Sequence, residues 1–145
     1  MRLHLEYGRT GLEVDLPADR VVKCLGYRAA EPVADAEGAI RRALAEPIGA
    51  RPLAELARGC QSACVVICDV TRPVPNRLIL PPLLEALEAA GVPRTKIVIL
   101  VATGLHRPNR GDELVEMVGR EVVERYRIEN HDGHNRDEHV HLGTS

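Results

Sequence analysis

Residues 63–72 read ACVVICDVTR and residues 99–108 read ILVATGLHRP. Each stretch begins as a short apolar run containing β-branched residues and ends in polar residues with glycine or proline nearby. Such runs are typical of buried strands in parallel sheets, and the loops that follow them often carry function. The two stretches therefore predict neighbouring strands, Ala63–Cys68 and Ile97–Ala102, of an α/β fold.

A helical segment separates these two strands. It is expected to begin between Asn76 and Pro82 and to end near Gly91, because glycine commonly follows the last helical residue. Pro81 and Pro82 restrict where this helix can start, because proline is tolerated only in the first turn of a helix. The apolar stripe of the helix consists of Leu80, Leu83, Leu84 and Leu87.

Weaker patterns complete the predicted fold. A further helix is expected with its apolar side near Val118, and residues 127–129 form a short strand after it. Strand–helix alternation of this kind predicts a parallel, Rossmann-like sheet with flanking helices. Ahead of it, residues 2–7 and 12–16 alternate around a glycine-containing turn and predict an N-terminal β-hairpin. A third short strand is expected at residues 21–27, and two helical pieces at residues 34–45 and around Leu53 and Leu56.

Length and composition limit the classes of protein that the chain can represent. Its 145 residues, 45% hydrophobic and 28% charged, fit one domain of ordinary size with a packed core. There is no Phe or Trp, and the net charge is −2, so neither a base-stacking surface nor a nucleic-acid partner is expected. No apolar run is long enough to span a bilayer, and the N-terminus lacks a signal-peptide pattern. These features predict a cytoplasmic protein without membrane contact.

The chain has four cysteines, which we expect to be reduced in the cytoplasm. Cys60, Cys64 and Cys68 are spaced by four residues, which leaves a metal site open as an alternative. The favoured interpretation is structural: Cys64 and Cys68 lie on one side of a buried strand and pack as small hydrophobes.

The candidate site lies where the two predicted strands end. Ligands of open α/β sheets bind beyond the carboxyl ends of the strands, and adjacent parallel strands bring their following loops together. The first loop offers Asp69 to orient a neighbour or accept a hydrogen bond, Thr71 as a hydroxyl donor to a phosphate, and Arg72 as a fork for an anion. The second loop offers Gly104 for close backbone approach and His106 as a proton acceptor.

Simpler interpretations stand beside these. Asp69 and Arg72 could form a local ion pair, and His106 could be an ordinary surface histidine. The tail at residues 130–141 holds four of the six histidines, yet a polar, glycine-containing tail is usually solvated. We therefore expect no metal site in this chain, although metal binding by the histidine-rich tail stays open.

Five motifs in a fixed order make the sequence more specific. They are DVTRPVP at 69–75, ILPPLL at 79–84, ATGLHRP at 102–108, NHD at 130–132 and LGT at 142–144. With the N-terminal hairpin, the series resembles the N-terminal domain of the nickel-pincer lactate racemase family over essentially the whole chain. The resemblance implies a 2-hydroxy-acid racemase or epimerase whose cofactor is a nickel-pincer nucleotide. Lactate is the type substrate, and another 2-hydroxy acid or a sugar acid is an alternative.

The same resemblance implies roles for individual residues. His106 matches a histidine that exchanges a proton with the substrate hydroxyl while the α-hydrogen moves as hydride to the cofactor. Asp69 and Arg72 match residues of the cofactor and substrate pocket. A second acid/base histidine, a lysine that tethers the cofactor and a nickel-binding histidine are implied farther along the chain than Ser145.

The chain is therefore expected to be the N-terminal part, residues 1–145, of a catalytic domain. It would be completed by the remainder of the same enzyme or by a second subunit. Alone, it is expected to lack the cofactor, to be inactive and to self-associate through uncovered sheet surface. The alternative is a non-catalytic α/β module that binds a nucleotide, a phosphate or a partner chain.

Overall fold

The computed structural model describes residues 1–144, which divide into two compact units, Met1–Pro32 and the part of the chain from Val33 onward. In the first unit, β1 (Arg2–Leu5) pairs antiparallel with β2 (Leu12–Asp15). The turn between them is closed by a 2.9 Å hydrogen bond from the Gly11 amide to the Tyr7 carbonyl. The predicted N-terminal β-hairpin is confirmed.

The strand predicted at residues 21–27 is wrong. A single 3₁₀ turn at Ala18–Arg20 is followed by extended or irregular backbone without ladder hydrogen bonds. Val22 and Tyr27 are fully exposed. Alternating apolar residues form a strand only where another strand pairs with them and buries one face, and no such pairing exists for this segment among residues 1–144.

The second unit contains a three-stranded parallel sheet in the order β3-β4-β5, which confirms the predicted sheet and its two neighbouring strands. Its strands are β3 (Ala63–Cys68), β4 (Ile97–Ala102) and β5 (Arg127–Asn130). Its helices are α1 (Ala36–Ala45), α2 (Leu53–Leu56), α3 (Asn76–Ala89), α4 (Asp112–Val118) and α5 (Arg120–Arg125). Within residues 1–144, each helix is too short or too polar to reach across a lipid bilayer.

The aliphatic core lies between one face of the sheet and the helices that connect its strands. Both connections are parallel crossovers that advance in the same direction, so right-handed crossing places α3 and the α4–α5 pair on the same face. Alternate residues of the strands point into this layer, where they meet the predicted apolar stripe of α3. The buried members of the core are Ala57, Ile67, Leu80, Leu84, Leu87, Val92, Ile97, Ile99, Val101, Val118 and Val122.

The opposite face of the sheet is open, which corrects the expectation that β3 is covered on both faces. Cys64, Val66 and Cys68 are exposed, and Val66 keeps 62% of its surface accessible. On β4 the same face carries the half-buried Val98 and Leu100. A continuous apolar run thus predicted the strand correctly, but the two cysteines are not buried. We call Cys64, Val66, Cys68, Val98, Leu100 and Ala102 the open face.

Helix α3 begins at Asn76, the earliest start within the predicted range. Pro81 and Pro82 therefore lie in the second turn rather than the first. Each proline lacks the amide proton that would bond to the carbonyl four residues earlier. Burial offsets this loss: Leu80 and Leu84 pack in the core under the sheet, and Pro82 is buried on the side of α3 that faces Leu44 and Leu53.

The predicted helix around Val118 is interrupted. Gly119 has φ 93° and ψ 147°, a conformation that L-residues with a side chain rarely adopt. It ends α4 and caps the start of α5, so that Val118 and Val122 both reach the core from separate short helices.

The open face leads to a prediction about thiol reactivity. All four cysteines are free and exposed, and accessible thiols react readily with disulfide reagents. We expect all four to react with such a reagent in the folded chain, at a dilution where it is monomeric, at rates close to those in denaturant. The buried-strand hypothesis instead predicts two fast thiols and two that react only after unfolding, which stopped-flow absorbance would distinguish.

Candidate functional site

Strand register brings the two predicted loops together. Cys68, the last residue of β3, pairs with Ala102, the last residue of β4. The loop that starts at Asp69 and the loop that starts at Thr103 therefore leave the sheet side by side. We call residues 69–75 the first loop and residues 103–111 the second loop.

Asp69 and His106 form the central contact between the loops. The His106 Nδ1 lies 2.5 Å from the Asp69 Oδ2. Asp69 is buried, with 5% of its side chain accessible, whereas the His106 side chain is 54% exposed. The expected convergence of the two residues is therefore observed, and the local ion pair considered between Asp69 and Arg72 is replaced by a pair across the loops.

Thr71 completes the surroundings of the Asp69 carboxylate. Its hydroxyl donates to Oδ1 at 2.6 Å and its backbone amide donates to the same oxygen at 3.1 Å. These hydrogen bonds, with that of His106, lower the pKa of Asp69 to about 2. The hydroxyl for which the sequence suggested a phosphate contact is thus engaged with Asp69 in this structure.

The ionised Asp69 fixes how His106 carries its proton. A carboxylate only accepts hydrogen bonds, so Nδ1 must hold the proton in their contact. In the neutral ring, Nε2 is then left unprotonated and can accept a proton. An Asp–His pair of this kind is suited to general base chemistry on a group placed near Nε2.

Glycine shapes the turn that presents His106. Gly104 has φ 60°, in the left-handed region that favours glycine. The turn is closed by a 3.0 Å hydrogen bond from the His106 amide to the Thr103 carbonyl. The buried Thr103 hydroxyl in turn donates to the His131 carbonyl, which ties the turn to the chain that follows β5.

Arg72 and His106 line the same depression. The depression measures about 480 Å³, and its polar rim includes Asp69, Arg72 and His106. Val66, Cys68 and Ala102 of the open face contribute its apolar floor. Among the described residues, no carboxylate forms an ion pair with the exposed Arg72 guanidinium, which is therefore available to an anion.

A second depression, of about 500 Å³, lies on the other side of His106. It is lined by Arg110 of the second loop and by His131, Asp132 and His134 of the tail. His106 thus stands between two hollows, with the Arg72 side holding the more apolar floor.

The tail histidines approach one another as a pair. The Nε2 atoms of His131 and His139 lie 3.2 Å apart, and their rings stack. Within residues 1–144, however, no three His, Cys, Asp or Glu side chains cluster closely enough to hold a metal ion.

Sequence reasoning missed Asn109 and gave Asn130 no structural role. Asn109 is 1% exposed, and its backbone forms two hydrogen bonds with the Asn130 side chain. The Asn109 backbone amide donates to Asn130 Oδ1 at 2.8 Å, and the Asn109 backbone carbonyl accepts from Asn130 Nδ2 at 3.0 Å. A signal was present, because Asn109 precedes Glu113 by four residues at a helix start. An isolated polar residue after a proline nevertheless looks like an ordinary exposed loop position.

The Asp69 carboxylate should make folding stability pH-dependent. Its pKa falls from 3.8 to about 2 on folding, so the associated stabilisation is complete above pH 3.8 and is lost as the pH falls through about 2. We expect Asp69→Asn to lower the free energy of unfolding at neutral pH, with the difference from wild type shrinking below pH 3.8. Urea unfolding across this pH range measures it. The exposed Asp19→Asn is the control, and a difference that does not vary with pH would contradict the prediction.

The chain was compared with known proteins by sequence and by structure. A family model described as the lactate racemase N-terminal domain matches residues 7–145. A lactate racemase of Thermoanaerobacterium thermosaccharolyticum is 33% identical over 144 residues, covering 98% of this chain and 34% of that protein. A lactate racemase of Lactiplantibacillus plantarum is 42% identical over 92 residues, covering 63% of this chain and 22% of that protein. The chain therefore spans about a third or less of the length of these relatives.

Solved structures give the same result. The lactate racemase apoprotein from Thermoanaerobacterium thermosaccharolyticum superposes with a TM-score of 0.75 at 32% identity, covering 99% of this chain and 33% of that chain. A protein from Thermotoga maritima shares the fold, with a TM-score of 0.57 at 24% identity over 77% of this chain. The family model and the relative aligned along nearly the whole chain agree, and the chain belongs to the lactate racemase N-terminal domain family.

Proposed function

We propose that this chain supplies one acid/base histidine and one anion-binding arginine to a racemase or epimerase of 2-hydroxy acids, with lactate as the first candidate. The observation that carries the proposal is the Asp69–His106 pair and, in the same depression, Arg72, which has no ion-pair partner among the described residues. Family membership supports the reaction class, since two relatives are lactate racemases. The remainder of such an enzyme, or a second subunit, would complete the pocket.

His106 is proposed to move the proton of the substrate hydroxyl. Its Nε2 takes that proton, and the Asp69 carboxylate stabilises the imidazolium that forms, since the two groups are already in contact. The low pKa of Asp69 keeps it ionised across the neutral range, so it stays an acceptor and leaves the proton on the ring. In the reverse direction the same imidazolium returns the proton.

Arg72 is proposed to hold an anionic group of the substrate or of the cofactor. Its guanidinium is exposed at the rim of the depression, and a planar fork can bind a carboxylate in a bidentate manner. The apolar floor beneath it excludes water from one side of a small ligand. Both properties fit a 2-hydroxy acid, which carries a carboxylate next to the reacting carbon.

The proposed cofactor is a nickel-pincer nucleotide, and two features of this chain fit its anionic part. Arg72 offers a free positive charge, and Gly104 leaves open space where a side chain would begin. When bound, the group would supply the acceptor for the α-hydrogen. Because residues 1–144 gather no three metal-binding side chains, the nickel ligands are proposed to come from another part of the enzyme.

The open face is proposed to be where the rest of the enzyme packs. It is apolar, it includes the floor of the depression, and its members on β3 are exposed. Large exposed apolar patches of this kind commonly mark interaction surfaces.

The isolated chain should therefore self-associate through the open face, and light scattering measures the mass of the particles. It should not racemise lactate, because its pocket is incomplete without the rest of the enzyme.

Substitution of His106 tests the acid/base role. We expect His106→Gln, in the protein as its gene encodes it, to lower racemisation of lactate by about 10²- to 10⁴-fold, the usual contribution of a general acid/base. Chiral chromatography of the product measures the rate. His4→Gln is a matched control, because His4 forms a similar 2.6 Å contact with Glu13 in the hairpin. Full activity of the His106 variant would refute the proposal, and ligand binding without any racemisation would favour the non-catalytic module.

Substitution of Arg72 tests anion binding. We expect Arg72→Ala to weaken lactate or cofactor binding roughly tenfold or more, because charge-assisted hydrogen bonds to the bound anion are lost. Arg72→Lys should recover part of this loss, since it keeps the charge without the planar fork. Calorimetric titration gives the dissociation constants. The exposed Arg58→Ala, outside both loops, is the control, and an Arg72→Ala variant that binds like it would contradict the assignment.

A further inference from the structure

We propose that Asn109 is a positioning residue of this site: its side-chain amide holds the loop of Asp69 and the loop of His106 at a fixed separation. The inference deepens the proposed function and rests on it for the role of His106. It stands on a separate observation, the hydrogen-bond network of a fully buried polar side chain.

Asn109 joins the two loops directly. It belongs to the second loop, three residues after His106, and its Oδ1 accepts a hydrogen bond of 3.3 Å from the backbone amide of Val70. Val70 is the residue after Asp69, so this bond ties the backbone of the first loop to the second. The Asn109 side chain therefore spans the same gap that the Asp69–His106 contact spans.

The other half of the amide binds the start of α4. The Asn109 Nδ2 donates to the Glu113 Oε2 at 2.8 Å. The Glu113 carboxylate also receives two hydrogen bonds of 2.7 Å from Arg107, which follows His106 in sequence. Arg107 first, and Asn109 second, lower the pKa of Glu113 to about 2.

These contacts close a ring. It runs from His106 to Arg107, then to Glu113, Asn109 and Val70, and returns through Asp69 to His106. The ring fixes the backbone of His106 relative to the first loop, so the imidazole meets Asp69 from a set position. The Asp69 contact alone would leave the half-exposed imidazole free to swing. The backbone of Asn109 is anchored independently to Asn130, so its side chain enters the ring from a fixed base.

The chemistry requires an amide at this position. Val70 presents a donor and Glu113 presents an acceptor, and a carboxamide is the group of this size that satisfies both at once. A carboxylate would serve Val70 but would face Glu113 as a like charge. An aliphatic side chain would leave the Val70 amide without this acceptor and Glu113 with Arg107 alone, in partly buried surroundings.

The test measures the tautomer of the His106 imidazole as well as the rate of racemisation. In the 145-residue chain, imidazole ¹⁵N shifts report the ratio of the Nδ1–H to the Nε2–H tautomer of His106. We expect Asn109→Leu and the nearly isosteric Asn109→Asp to lower this ratio roughly fivefold, the size expected when one hydrogen bond is weakened. In the protein as its gene encodes it, lactate turnover should fall about tenfold or more, with KM changed less than about twofold, because misplacement mainly affects the reacting geometry.

Two comparisons separate positioning from a general loss of stability. Leu87→Ala removes a core side chain of α3 far along the chain from both loops and should destabilise the fold while leaving the His106 ratio unchanged. Adding Glu113→Gln to Asn109→Asp restores a donor opposite the new acceptor and should recover most of the ratio and of the turnover. This rescue is not expected from a merely structural residue.

Each outcome decides a different point. An unchanged His106 ratio in Asn109→Asp, or an equal change in Leu87→Ala, overturns the positioning role whatever the enzyme does. If Asn109→Leu does not fold, the Asn109→Asp variant and its rescue give the answer. Absence of lactate racemisation in the wild-type protein counts against the proposed function alone, because the tautomer ratio still tests Asn109.

Discussion

The parallel pairing of β3 with β4 is the constraint on which the rest of the second unit depends. Its register sets Cys68 beside Ala102, so the next residues of both strands leave the sheet at one edge. Asp69 and His106 both follow strand ends at that edge, so their side chains lie within contact distance. A shift of one residue in this register would turn every core side chain of one strand to the other face. The hydrophobic layer under α3 and the candidate site above the strands are therefore fixed by the same set of hydrogen bonds.

Two carboxylates near the candidate site, Asp69 and Glu113, remain ionised at neutral pH. Asp69 and Glu113 are both held near a pKa of 2, the first mainly by Thr71 and the second mainly by Arg107. Each therefore acts as a permanent acceptor in the neutral range. The groups behind the half-exposed His106 therefore keep a constant charge across the neutral range.

Much of this arrangement could be predicted from the sequence, because apolar runs and loop motifs are local signals. The strands β3 and β4, the stripe of α3 and the meeting of Asp69 with His106 all follow from such patterns. The exposure of Cys64 could not be predicted, since an apolar run does not show which face of a strand will be covered. The break at Gly119 and the position of Pro81 and Pro82 inside α3 could not be predicted either. Both are unfavourable for a helix locally and are tolerated because neighbouring residues pack in the core. Asn109 was missed because its importance lies in partners such as Val70 that are distant in sequence.

The interruption at Gly119 has a consequence for the order in which the molecule assembles. The helices on either side of it have only 7 and 6 residues, and isolated helices of fewer than about 12 residues do not persist in water. Neither can act as an early, self-supporting element of the folding pathway. They gain stability only as Val118 and Val122 dock on the core that includes β4, so we expect β5 to pair late in folding. Asn130 and His131 would then arrive with it, and the polar edge around His106 would be completed last.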